Sequence, residues 1–467
     1  MSVVQLPPSY NLTDVKPASS SAGQSVYSKI RSDNSTYSAG DVLRLTIPTG
    51  NGQFLSAPDS FITGKITPTF TGGAGAGAMR LDGSIYSIFK RISVYHGSSL
   101  CENILNANRL YNALYDVQTG PSERASGSVN LLVDEGNVTY LTTPNITLSG
   151  LGTTGYTYGA IMASGQSYNF SLCLPSILGS FAEKALPLAF MSAAELYIEI
   201  ELEAGVRVFT SRTADSISGS IGAFTTAPTP TYTISEFYYN ACITNLSSDV
   251  TNVLRQAMLS RPVILPCISY RGEQRVVSAS ATSFSDKFSF QFSSMKGVMW
   301  WLTCGATANG NVTSNNYNAA VTTRSPGNLM EWFVSQNGQD FPPSHIRAGD
   351  EGASRIFGAE VFAHLERFLN QNAAAGLQSV VTKELYCNST TTAADDAANA
   401  KKFVAALSLD RFDGENQRAL SGVNTMSSQF QITLQFNSGV TETMNLYAYA
   451  MFDLGLELVD GLLVARY

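Results

Sequence analysis

The sequence predicts an all-β fold of two antiparallel sandwiches side by side, and three observations carry that prediction. Residues 91–117, RISVYHGSSLCENILNANRLYNALYDV, read as a strand, a Gly-Ser turn, a short return strand and a helix. Residues 329–338, followed by an apolar stripe at Val361, Phe362, Leu365, Phe368 and Leu369, repeat that order. Strand-like segments with turn-rich joins then fill both halves, about eight in each, with too few helices for alternating βαβ units. At 467 residues the chain also exceeds one ordinary core, so two domains are expected.

Each element has a local reason. Ile92 and Val94 alternate with polar neighbours, the period-two pattern of a half-buried strand. His96-Gly97-Ser98-Ser99 is turn chemistry, with Gly97 open to a positive φ. Asn106 or Asn108 can cap a helix whose stripe is Leu110, Leu114 and Val117. Before this stretch, residues 1–40 are Ser-rich, with Pro7, Pro8 and Pro17, and are assigned as an N-terminal arm. Strands follow at 42–47 and 61–70, then at 138–148, 168–175 and 195–203. In the last of these, Leu196, Ile198, Ile200 and Leu202 face one way, and Glu195, Tyr197, Glu199, Glu201 and Glu203 the other. Residues 204–230 form a large loop, 232–243 a strand apolar on both faces, and 247–260 a linker helix. The first sandwich is thereby 41–246 and the second 261–467.

The second sandwich opens with strands at 263–268, 288–292 and 298–304. Residues 400–409 match the segment around Phe170, and 430–436 match Leu196 to Leu202, both at an offset of about 234. Residues 446–452 match 237–243 at an offset of about 209, so the 204–230 loop is about 25 residues longer than its counterpart.

Composition excludes several function classes. Charged residues are only 14% of the chain, with 29 basic and 36 acidic side chains, and no Lys/Arg run exceeds a pair. A counterion-releasing grip on nucleic acid is therefore not expected. No apolar run approaches the roughly 20 residues of a membrane span, and MSVVQLPPSY has no basic and apolar leader pattern, so the chain reads as folded inside a cell. The six cysteines, Cys101, Cys173, Cys242, Cys267, Cys304 and Cys387, lack short spacings and read as reduced thiols, several of them buried. Eight Asn-x-Ser/Thr sequons, Asn137, Asn145, Asn311 and Asn388 among them, follow from an Asn- and Thr-rich composition.

The sequence holds no convincing catalytic pattern. His96, His345 and His364 have no second histidine at ligand spacing and read as surface or interface residues. Gly150-Leu151-Gly152-Thr153-Thr154-Gly155 matches GxGxxG as a string but lacks the helix that would cradle a phosphate. Glu199, Glu201 and Glu203 could be paired carboxylates of a glycosidase, against the simpler reading of a polar strand face. Asp395-Asp396 and Asp350-Glu351 read as solvated loop acids, and Trp300-Trp301 as packing for the second core. The assignment is therefore no catalytic, cofactor-binding or metal-binding residues.

Four segments together resemble a known family: FKRISVYHGSSLCEN (89–103) with its helix, the strand 194–203 entering a long loop, the strand 234–244, and NLYAYAMFDLGLELVDG (445–461). The chain is similar, over about residues 41–467, to double-jelly-roll major capsid proteins of tailless icosahedral double-stranded DNA viruses, from tectivirus-type phages to virophages, Polinton-like viruses and adenovirus hexons. The resemblance implies two tandem eight-stranded jelly rolls with a few short helices in the connections. It further implies a homotrimer forming a pseudo-hexagonal capsomer that tiles a virion shell beside neighbouring capsomers and minor capsid or penton proteins. In that family an internal membrane or other proteins usually handle the genome, which fits the absence of a basic arm. Loops such as 204–230 would point outward, though modestly beside hexons. The alternatives are a carbohydrate-binding or spike-like sandwich protein and a sandwich-fold glycosidase.

Overall fold

The computed structural model describes residues 23–50, 52–71, 78–118, 139–140, 160–182, 184–210, 229–248, 251–252, 254–256, 263–305, 321–349, 358–369, 386, 403–410, 422–437, 439–440 and 442–467. In the first half the elements are β1 (Gly23–Arg31), β2 (Thr36–Ser38), β3 (Val42–Ile47), β4 (Gln53–Thr71), β5 (Ala78–Leu81), β6 (Phe89–His96), β7 (Ser99–Leu105), α1 (Ala107–Gln118), β8 (Thr139–Tyr140), β9 (Ala160–Ala163), β10 (Tyr168–Leu172), β11 (Leu196–Leu202), β12 (Phe209–Thr210) and β13 (Thr229–Leu246). The second half holds β14 (Val263–Val277), β15 (Ser283–Phe288), β16 (Met295–Cys304), β17 (Leu329–Gln336), β18 (Gln339–Arg347), α2 (Ala359–Phe368), β19 (Ala405–Ser408), β20 (Phe430–Phe436), β21 (Met444–Val459) and β22 (Leu462–Arg466).

Sheet order repeats between the halves. One sheet of the first runs β1-β13-β4-β10 and its partner β3-β11-β6-β7; the second half gives β14-β21-β16-β19 and β15-β20-β17-β18. Taken in chain order, each of these eight-strand sets crosses between its two sheets as a jelly roll does. Register repeats as well: Val94 lies opposite Ile198, and Val334 opposite Ile432. Both expected strand–turn–helix units are present, with Gly97 and Gly338 at positive φ in the two hairpin turns.

Alternation explains the cores. In β11, Leu196, Ile198, Ile200 and Leu202 are at most 1% exposed, and β20 shows the same alternating burial through Phe430, Ile432, Leu434 and Phe436. The second core is more aromatic: Trp300 and Trp332 are fully buried, edge to face with centroids 5.5 Å apart.

Several boundaries differ from those expected. Part of the assigned arm, 1–40, is sheet: β1 pairs with β13 along its length and β2 pairs with β13, because the stretch Val26 to Ile30 has a strand to complete. The expected strand 61–70 begins at Gln53, and 263–268 continues to Val277. Phe288, Phe290 and Phe292 are buried alternately, but the strand there is Ser283–Phe288. Beyond it, Phe292 exchanges backbone and side-chain hydrogen bonds with Thr425. Asn106, at φ 49°, immediately precedes α1, and Asn108 lies within its first turn. The 204–230 loop begins with a helical turn, Gly205–Val208, and β12, which joins β5, β9 and β8 in a small third sheet that was not anticipated. Of the linker 247–260, residues 248, 251–252 and 254–256 are helical. The rest of the expected strand 138–148, the Gly150–Gly155 string, Asp350-Glu351 and Asp395-Asp396 lie outside the described residues.

Candidate functional site

The most elaborate constellation of polar side chains lies where the two jelly rolls meet. There β7 of the first packs against β14 and β22 of the second. The alternation of β7 explains what it offers: Cys101, Glu102 and Ile104 are buried, while Leu100 and Leu105 stay partly exposed. Glu102 Oε1 accepts from the Ser269 hydroxyl of β14 at 2.6 Å. Its Oε2 accepts from the Ile177 backbone N–H at 3.0 Å and from the Ser176 hydroxyl. Burial pushes this carboxyl above its ordinary range, with the three donors opposing the shift. His96, at the end of β6, accepts the Leu463 N–H at Nδ1 (2.8 Å), so Nε2 carries the proton and donates to the Ala194 carbonyl at 2.9 Å. Burial lowers its pKa and keeps it neutral. Beside it, burial pushes the Cys101 thiol up to about 12.

Two further anchors join the rolls. Asp82 accepts from the Val321 N–H at 2.7 Å, the Thr322 N–H at 3.3 Å and the Thr322 hydroxyl at 2.5 Å. Arg324, fully buried, lies 2.7 Å from the Asp116 carboxylate of α1. Trp300 and Trp301, being consecutive in β16, point to opposite faces. Trp300 enters the second core, whereas Trp301 stacks on Tyr449 at 5.1 Å, on the face turned to the first roll. Tyr449 donates from its hydroxyl to the Asn106 carbonyl at 3.0 Å, and the Arg109 guanidinium sits 4.4 Å from the Tyr447 ring centroid. The second apolar face of β21 is therefore covered from within the chain.

The residues considered for catalysis are dispersed. Glu201 is held by Lys90 and by Arg91 at 3.3 Å, and Glu199 lies in register between Arg44 and Ser93. Glu203 is not on that polar face: β11 ends at Leu202, and the Glu203 side chain turns inward to accept from Asn108 at 3.0 Å and Arg207 at 3.2 Å. His345 stacks on Phe333 at 3.8 Å with Nδ1 3.2 Å from Glu331. His364 is half-buried on α2, and burial lowers its pKa. Both tryptophans are 0% exposed, so neither offers a stacking platform. Cys101, Cys173, Cys242 and Cys267 are thiols. Among the described residues no three His, Cys, Asp or Glu side chains are grouped to hold a metal ion, and no helix is long and apolar enough to cross a membrane. Sequence reading missed the anchors at Glu102, Asp82 and Asp116. A carboxylate inside an otherwise apolar, alternating segment was the available signal, and for Glu102 it was there in SLCENIL.

Comparison with known proteins gives a consistent result for the fold. No family model and no curated protein matches the sequence. Among solved structures, the Faustovirus major capsid protein aligns with a TM-score of 0.56 at 11% identity, covering 95% of this chain and 91% of that one. The PBCV-1 virus capsid model aligns at 0.55 and 11% identity, over 96% and 97% of the two chains. The mavirus major capsid protein aligns at 0.51 and 11% identity, covering 100% of this chain and 96% of that one. These alignments and the repeated strand order show that the chain has the double-jelly-roll fold of those capsid proteins.

Proposed function

We propose that this chain is a major capsid protein, a structural subunit that trimerises into a pseudo-hexagonal capsomer and tiles an icosahedral virion shell. One observation carries the reading: the likeness extends over nine tenths or more of both chains for several viral capsid proteins. The anchored seam supports it, because a tile must transmit load between its rolls without hinging. The net charge of −7 argues against a genome-gripping role. The glycosidase reading loses two of its three acids, since Glu201 is bound by two cations and Glu203 is buried against Asn108. Light scattering on the purified chain tests the proposal: three 50.0 kDa chains give about 150 kDa. A monomer that hydrolyses glycans would refute it.

A further inference from the structure

The last strand, β22, is held from two sides. Among the described residues its one ladder is with β21, Leu462 to Arg466 lying opposite Val459 to Gly455. On its other side it packs on β6 and β7 of the first roll. Three contacts to its backbone hold it there. The Ala193 N–H donates to the Gly461 carbonyl at 3.4 Å, in a turn whose Asp460 and Gly461 both take positive φ. The Leu463 N–H donates to His96 Nδ1 at 2.8 Å, and the Leu463 carbonyl accepts from the Cys101 thiol at 3.7 Å. His96, Cys101 and Leu463 are all fully buried. The other two histidines of the chain, His345 and His364, lie on β18 and α2, within the second roll.

The imidazole serves this contact in one charge state only. A neutral ring has a single acceptor nitrogen, and here that nitrogen meets the second roll, while Nε2 donates to the Ala194 carbonyl of the first at 2.9 Å. An added proton turns Nδ1 into a donor facing another donor, the Leu463 N–H, and that bond is lost. The first roll gives up nothing, because the Ala194 and Met191 carbonyls favour the charged ring. The matching place in the second roll is Gln336, opposite Phe430 as His96 is opposite Leu196. Its amide donates to the Asn424 carbonyl and the Ser428 hydroxyl, both at 2.7 Å, and has no proton to gain.

We propose that His96 is an acid-operated latch: a second proton on its ring releases β22 and the Asp460–Gly461 turn from the first roll and uncovers the Cys101 thiol. The latch lies within one chain and does not depend on the subunit reading. The other titratable groups around the ring are engaged or exposed. On β7, Glu102 is bound by Ser176, Ser269 and the Ile177 N–H, and burial keeps Cys101 protonated. Beside Ala194, Glu195 is exposed, and the Tyr197 hydroxyl donates to the Gly97 carbonyl at 3.2 Å. From the second roll, Arg466 holds Glu457 at 2.6 Å, Asp460 is exposed, and burial raises the Tyr467 hydroxyl. On β6 itself, Lys90 and Arg91 hold Glu201, and Tyr95 stacks on Tyr197. Burial keeps the closed ring neutral below the ordinary 6.5, whereas a released ring titrates near that value. Between the two values the open form binds the extra proton, so the open population rises by up to about tenfold per pH unit as pH falls, then levels off.

Hydrogen exchange of the full chain, read by mass spectrometry and corrected for the intrinsic pH dependence of exchange, tests this from about pH 7.5 to about pH 5. Protection of residues 460–467 is expected to fall about tenfold per unit below about pH 6.5, with β11 and β20 unchanged. Dipyridyl disulfide, a thiol probe that reacts in acid, should label Cys101 faster as pH falls and leave Cys242 unaffected, each rate taken relative to the urea-unfolded chain at the same pH. His96→Gln should abolish the response. The paired variant His345→Gln, His364→Gln, which leaves His96 as the sole histidine, should keep all of it and carries the test if His96→Gln does not fold. Protection at 460–467 that stays level with pH, that falls equally in β11 and β20, that still responds in His96→Gln, or that stops responding in the paired variant overturns the proposal. A light-scattering mass of one chain or of three leaves these outcomes unchanged.

Discussion

Glu102→Gln sets two opposing effects against each other at one buried atom pair. Desolvation favours the neutral acid, because a buried carboxylate loses its hydration. The Ser176, Ser269 and Ile177 donors favour the anion, because all three point hydrogens at its oxygens. Burial dominates, and the folded carboxyl titrates above the 4.5 of an ordinary glutamate. In the window between those values the folded protein binds more protons than the unfolded chain. The contribution of Glu102 to stability is then largest below the ordinary value and falls as pH rises through the raised one. The limiting slope is about 1.4 kcal/mol per pH unit. With about 2.1 cal/mol/K of unfolding entropy per residue, 467 residues give about 1 kcal/mol/K, so the slope appears as about 1.4 °C of Tm per pH unit.

The glutamine introduced by Glu102→Gln cannot ionise, so the variant lacks this slope. At pH 4 it mimics the protonated acid and melts within about 3 °C of the unaltered protein, the cost of one mispaired donor being about 1–3 kcal/mol at most. From about pH 4.5 upward it gains on the unaltered protein. Differential scanning calorimetry at fixed protein concentration measures the difference, concentration being held because association raises apparent stability. A Tm difference that is flat with pH, or that turns against the glutamine as pH rises, would show that the three donors outweigh burial and would sink the argument.

Three other outcomes follow from the same seam and core. Asp116→Ala strips the fully buried Arg324 of this counter-charge and should cost about 3–5 kcal/mol, while adding Arg324→Met should recover most of the loss; melting of the double-mutant cycle measures the coupling. His96 titrates below the ordinary 6.5 when folded, so its contribution is complete above that value and is lost as pH falls below it. His96→Gln, the residue found at the equivalent Gln336, should remove that acid-side loss in a Tm series from about pH 5 to 8. Trp300→Ala empties the space beside Trp332 and should cost about 3–5 kcal/mol by denaturant unfolding, with the sheet spectrum retained.

What could be read from the sequence was whatever a short window expresses. The alternation in Leu196 to Leu202 and the Gly97 turn needed no long-range information, and both elements formed as expected. The repeat was visible because the length differences fall between strands, leaving the β6 and β17 patterns aligned. The small sheet of β5, β8, β9 and β12 was not legible, because it pairs fragments of two to four residues from separate loops. Glu203 was misread because alternation was carried one residue past the end of the strand; its side chain answers to Asn108, 95 positions away. Asp82 with Thr322 and Asp116 with Arg324 are separated by 240 and 208 positions, and no local pattern marks such pairs.

The division between inward and outward positions explains where the two rolls were free to differ. Val94 and Val334, or Ile198 and Ile432, are the same because each fills a closed sandwich, where a changed volume is felt at once. Glu102 and Phe341, Ser269 and Val26, Gly272 and Lys29 all differ, and all lie on edge strands of their sheets, β7 and β18 or β14 and β1. Packing within a roll does not demand those differences. Two identical rolls would each present the same hairpin and the same strand, so any roll could join any other and the order within a ring would be undefined. The edge-strand differences, rather than the shared cores, are accordingly where assembly variants should be sought.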